Sequence, residues 1–140
     1  MALHLEIVTP LGPVVKTDAD EVVLPGKLGE FGVLDGHIPF LSALRPGVVR
    51  YRSGNDWQRL AIGNGFSEVG AGHKVLVLTD SHARPTDIDV GEVQAELRDL
   101  EAELKAWAGP VNPEHEELRN KASWARARLE VKGETEKPGH

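Results

Sequence analysis

The hydrophobic rhythm of this 140-residue chain changes once, near residue 86, and that change restricts the fold more than any other feature. Before it, apolar and polar residues alternate over short runs; after it, apolar residues recur at helical spacing. Leu3, Leu5 and Ile7 alternate with His4 and Glu6, the pattern of a half-buried strand. Val22 to Leu24 stop at Pro25-Gly26, and Lys74 to Thr79 is another apolar run rich in valine. Val48 to Arg52 and Trp57 to Ile62 flank Ser53-Gly54-Asn55-Asp56, which reads as a hairpin. Turn residues recur every 6 to 12 positions. Residues 1–86 therefore predict about ten short antiparallel strands, arranged as a β-sandwich of two sheets or as a barrel.

From residue 87 the period is helical. Val90, Val93, Leu97, Leu100, Leu104 and Trp107 form a narrow apolar seam on one helix face. Asp89 with Glu92 three residues later is a capping-box start. Ala108-Gly109-Pro110 ends this helix, and Asn112-Pro113 starts the next, with Asn as cap and Pro in the first turn. Leu118, Ala122, Ala125 and Leu129 continue at spacings of four and three. Residues 87–140 thus predict an antiparallel two-helix hairpin with a polar tail ending at His140. Its seams are rich in alanine, so the hairpin is marginal alone and must lean on the sandwich or on something else.

Charge divides at the same point. Residues 1–86 hold eight basic and nine acidic residues, and residues 87–140 hold eight and thirteen. The first helical segment, 87–107, is net −5, whereas 118–132 is net +4 through Arg119, Lys121, Arg126, Arg128 and Lys132 against Glu130. Two readings follow: the basic helix pairs with the acidic one, or its basic face docks on an acidic partner. The overall charge of −6 argues against nucleic acid as main partner. No run approaches the roughly 18 apolar residues of a membrane span, and Glu6 interrupts what a signal peptide would keep apolar. Without cysteine there is no disulfide, thiol nucleophile or thiolate metal site. These features together indicate a soluble protein of a bacterial-type cytoplasm.

Catalytic signatures are missing. Gly72-His73-Lys74 lacks the glycine spacing and the Ser/Thr of a phosphate loop, and Gly63-Asn64-Gly65-Phe66-Ser67 places its serine too late for a nucleophile elbow. His115-Glu116-Glu117-Leu118-Arg119 ends in arginine where a zinc helix has histidine. The six histidines (His4, His37, His73, His82, His115, His140) show no metal-ligand spacing, so no metal or cofactor is expected; a sandwich that gathers three of them in space is the competing reading. His37, between Gly36 and Ile38, reads as a turn histidine whose ring bonds to nearby backbone.

The stretch VLPGKLGEFGVLDGHIPFLSALRPGVV, residues 23–49, resembles the signature of the epsilon subunit of bacterial and chloroplast F-type ATP synthases. That family's successive turn elements are matched by Gly29, Gly32-Val33, Gly36-His37-Ile38-Pro39 and Pro46-Gly47. Gly63 to Val69 looks like its next strand, and Thr79 to Ala83 like its exit into the helices. The likeness runs in order from residue 3 to about residue 130. It implies a rotor subunit without chemistry of its own. The sandwich would bind the gamma subunit and the membrane c-ring, at the cytoplasmic face of the bacterial inner membrane and without inserting into it. Glu30 in the Gly29–Gly32 turn, with Gly32, Asp35 and His37, would lie on the ring and gamma side. The hairpin would press Arg119, Arg126 and Arg128 against an acidic segment of a catalytic beta subunit and brake ATP hydrolysis. Two positions depart from the pattern. Asp35 replaces the proline that precedes Gly-His, and suits a turn equally well. Glu92 and Val93 replace the arginine and alanine of the I-D-x-x-R-A motif by which some members hold ATP, while Trp124 replaces a basic position of the second helix and Arg128 is kept. An acid facing phosphate repels it, so no nucleotide binding is expected.

Overall fold

The computed structural model describes residues 3–70 and 72–136, the last two by their backbone only. Ten strands come first: β1 (Leu3–Thr9), β2 (Gly12–Ala19), β3 (Glu21–Gly26), β4 (Gly29–Leu34), β5 (Phe40–Leu44), β6 (Gly47–Ser53), β7 (Asp56–Ile62), β8 (Gly65–Val69), β9 (Lys74–Thr79) and β10 (His82–Ala83). A 3-10 turn at Pro85–Asp87 leads into α1 (Val90–Lys105) and α2 (Pro113–Glu136).

The strands form two layers within one continuous curled sheet, ordered β10-β7-β6-β3-β5-β8-β9-β1-β2, with β4 on the other side of β3. The layers join where β3 meets β5 at the single pair Gly26 and Leu44. The two expected sheets are therefore one sheet folded over at a corner. Pairing is antiparallel except between β1 and β9, which run parallel from His4–Lys74 to Val8–Leu78. Leu3, Leu5 and Ile7 of β1, Leu24 of β3, Val49 of β6, Leu60 and Ile62 of β7 and Val77 of β9 are fully buried in one shared core. The 53–56 hairpin closes in register, Ser53 opposite Asp56, with Gly54 at φ 60° supplying the left-handed turn residue.

The helices start as their caps predict. The Asp89 side chain accepts from the Glu92 amide at 3.1 Å, and that of Asn112 accepts from the His115 amide at 3.0 Å. The hairpin leans on the sandwich. Val49 and Leu60 point into the core, so their neighbours Val48 and Ala61 face outward, where they join Ala125, Ala127 and Val131 of α2, Val93 of α1, Ala83 and Ile88 in a second cluster. Ala127 and Val131 lie off the expected seam, because α2 has two neighbours, α1 on one side and the β6–β7 face on the other.

Candidate partner-binding surfaces

Glu30 lies in strand β4, opposite Pro25, and the turn that precedes it is Lys27-Leu28; the expected Gly29–Gly32 turn is strand. The shift follows from Gly26 and Gly29, which pair directly and leave only two residues to reverse the chain. The Glu30 carboxylate is half-exposed and pairs with Arg50 at 2.5 Å. Gly32 is exposed farther along β4, while Asp35 and His37 sit on the loop beyond its end. About 13 Å of strand separates Glu30 from Leu34, so these four residues form an edge and its exit loop, not a single cluster. Gly36, at φ 85°, turns that loop, and its amide donates to the Gly72 carbonyl at 2.9 Å. His37 bonds Nδ1–H to the Ile38 carbonyl at 3.2 Å, the backbone contact expected of a turn histidine, and its Nε2 is buried without a partner. No group of three His, Asp or Glu side chains with metal-binding geometry occurs among the described residues.

A second surface escaped the sequence reading. Ser67 and Val69 of β8 and Val75 and Val77 of β9 are buried, so Phe66 and Leu78 lie on the opposite, outward face. Phe66 is 63% exposed and Leu78 48%, and they are directly paired; Leu41 is 77% exposed on the adjoining β5. Ile38 and Phe40 add further exposed apolar area beside the His37 loop. The signal was present in sequence: Phe66, Leu76 and Leu78 occupy positions that the alternation reserves for polar residues. The hairpin covers the other layer and leaves this face open.

The basic residues of α2 divide in two. Arg126 pairs with Glu101 at 3.4 Å, both half-exposed. Arg128, 18% exposed, pairs with Glu96 at 2.6 Å and lies 5.2 Å over the Trp124 ring. The acidic helix thus takes up two of the three arginines, whereas Arg119 is exposed and in no ion pair among the described residues. Arg50, which the sequence reading passed over, is 5% exposed on β6 and holds Glu30, Glu130 and Glu134 at once. Burial alone pulls its pKa down; the hydrogen bonds to Glu134 and Glu30 more than reverse this, so the guanidinium is held firmly as a cation.

Residues 2–85 match the family model described as ATP synthase, Delta/Epsilon chain, beta-sandwich domain. The chain is 38% identical over 131 residues to ATP synthase epsilon chain 2 of Syntrophotalea carbinolica, covering 94% of each. It is 39% identical over 132 residues to the ATP synthase epsilon chain of Nitratidesulfovibrio vulgaris, covering 94% of this chain and 96% of that one. A chain of the Euglena gracilis mitochondrial ATP synthase (OSCP/F1/c-ring) superposes with a TM-score of 0.79 at 19% identity over 93% of this chain and 80% of its own, a likeness of fold. With the sandwich and the helical hairpin both matched in relatives that align over nearly their whole length, this chain belongs to the ATP synthase epsilon chain family.

Proposed function

We propose that this accessory subunit is the joint of the rotor: its sandwich binds the gamma subunit and the membrane c-ring and carries proton-driven rotation between them, without catalysing a reaction. The observation that carries the reading is the open apolar face of Phe66, Leu78 and Leu41, left bare on one layer while the hairpin covers the other. Contiguous exposed apolar area of this kind marks a protein interface, and the solved central-stalk complexes of similar fold supply partners of the right class. Phe66→Glu with Leu78→Glu is expected to weaken co-elution with the purified gamma subunit at least tenfold, since buried aromatic anchors dominate such interfaces. Unchanged co-elution of the folded variant would move the interface elsewhere. Glu30, Gly32, Asp35 and His37 present the β4 edge and its exit loop, which we assign to the ring and gamma side.

Residues 1–86, we further propose, fold without the hairpin. They contain all three Phe, the only Tyr and a core cluster complete in itself. A chain ending at Thr86 is expected to unfold cooperatively and to bind gamma. Aggregation, or melting without a transition, would show that α2 is needed to close the fold.

ATP is expected not to bind at physiological concentration. Ile88 is buried and Asp89 is occupied as the cap of α1, so the two matching motif residues already have structural roles, and Glu92 stands where a cation is required. Calorimetric titration that gives a dissociation constant in the low micromolar range, roughly −8 kcal/mol, would reject this. For the hairpin we propose a regulatory role: its basic helix can leave the sandwich and contact an acidic segment of a catalytic beta subunit, restraining hydrolysis.

A further inference from the structure

Strand β6 reads GVVRYRS. Val49 and Tyr51 enter the core, which turns Arg50 outward beneath α2, directly across from Arg59 of β7. Two arginines opposed on neighbouring strands repel each other, and at 5% exposure Arg50 has little water to screen it. The position therefore requires anions. Glu130 and Glu134, four residues apart, lie on one face of α2 and both reach Arg50: Glu130 at 3.2 Å from Nη2, and Glu134 at 2.9 Å from Nε. Glu134 is 17% exposed, and its second oxygen is buried without a hydrogen-bond partner, as is Nε of Arg59.

From this geometry we infer that Arg50, with Arg59 behind it, is a carboxylate-binding site of the sandwich, and that Glu130 and Glu134 are its built-in ligand. The pair is a latch that fixes the far end of α2. Apolar contact there is slight: Ala125, Ala127 and Val131 against Val48 and Ala61 bury few methyl groups, each a small contribution. The charge-assisted hydrogen bond from Arg50 to Glu134, both largely buried, exceeds that individually, and half-exposed Glu130 adds to it. They also make the docked position specific, because a hairpin slipped by one residue would strip Arg50 of two of its three carboxylate partners and leave only Glu30.

Glu30 is the third claimant on Arg50, at 2.5 Å. It binds Nη1 while the helix carboxylates bind Nε and Nη2, so it competes with them for the one positive charge of the guanidinium and places the latch under the control of the β4 edge. This regulatory part rests on the reading of β4 as ring-facing. A partner that draws Glu30 away leaves Arg50 wholly to α2, and the hairpin is held down. Loss of that partner returns Glu30 to Arg50, and the hairpin loosens.

Hydrogen exchange on the full-length chain tests both parts, and the sheet amides report in the same sample whether the fold is intact. Glu130→Gln with Glu134→Gln is expected to speed exchange of the α2 amides from residue 121 onward by about ten- to a hundredfold, the loss due to charged hydrogen bonds. The β1, β8 and β9 amides should stay within twofold. Exchange in α2 that rises less than twofold, or that rises only in step with the sheet, would overturn the latch. Glu30→Gln is expected to slow α2 exchange; unchanged or faster exchange would overturn the competition. Failure here leaves the gamma interface standing, since co-elution reads the opposite layer.

Discussion

Gly65→Ala is expected to be among the most damaging single-methyl changes in this protein, costing about 3 kcal/mol or more and lowering the urea midpoint accordingly. Gly65 begins β8 between Leu44 of β5 and Thr79 of β9. A Cβ there would lie 2.0 Å from the Leu78 carbonyl oxygen and 3.0 Å from the Thr79 Cα. Both obstacles are backbone, held by strands on either side, so neither yields by rotating a side chain. Relief requires about 1 Å of movement in a strand whose neighbours Val77 and Val69 are packed in the core, and close-packed interiors resist such shifts. Gly70→Ala is the control: its Cβ would meet Lys74 at ordinary contact distances, 3.5 Å to Cβ and 3.8 Å to the carbonyl oxygen. Its expected cost is below about 0.5 kcal/mol. A Gly65→Ala protein within 1 kcal/mol of the parent would show that β9 is free to move away from β8.

The same residues show how far the fold was legible. Whatever depends on neighbours in sequence could be read: the alternation of Leu3, Leu5 and Ile7, the caps Asp89 and Asn112, the turn at Gly54. The glycine-rich segment was recognised as corner chemistry, yet the corner falls at Lys27-Leu28 and not at Gly29 to Gly32, because pairing of Gly26 with Gly29 is a choice between strands. The parallel union of β1 with β9 joins segments some 70 residues apart and leaves no local trace. For the same reason the second buried face of α2, Ala127 and Val131, was invisible: alanine and valine fit a seam, a surface or a sheet contact equally well. Among site residues, His37 was read correctly for its bond to nearby backbone, and the pairing of the acidic with the basic helix was anticipated. Arg50 was not, since an arginine in V-V-R-Y-R looks like a solvated strand residue until a helix is laid over it. Glu30 looked free for a partner because Arg50, twenty residues later, gave no sign of approaching it.

Charge reversal on α2 is the second large effect, and the structure refines what each reversal tests. Arg119→Glu, Arg126→Glu and Arg128→Glu together are expected to raise ATP hydrolysis by the reconstituted complex several-fold while leaving assembly intact. The motive is the proposed grip on an acidic beta segment, whose exposed pairs contribute at most about 1 kcal/mol each, so that single reversals change little. Such a contact also weakens with salt, because exposed charges beyond about 8–10 Å are screened at physiological ionic strength. The three positions are not equivalent, however. Arg128 is largely covered, paired with Glu96 and stacked on Trp124, and its reversal sets two acids against each other within the hairpin. Arg126 has a looser tie to Glu101, with both partners 52% exposed. Arg119 has no ion pair to lose among the described residues. The informative comparison is therefore Arg119→Glu with Arg126→Glu against Arg128→Glu alone. If the basic face acts on a partner, the double variant raises the hydrolysis rate and keeps its far-ultraviolet helicity. Should only Arg128→Glu change the rate, and only as helicity falls, these arginines serve to hold the hairpin together and the brake must act through another surface.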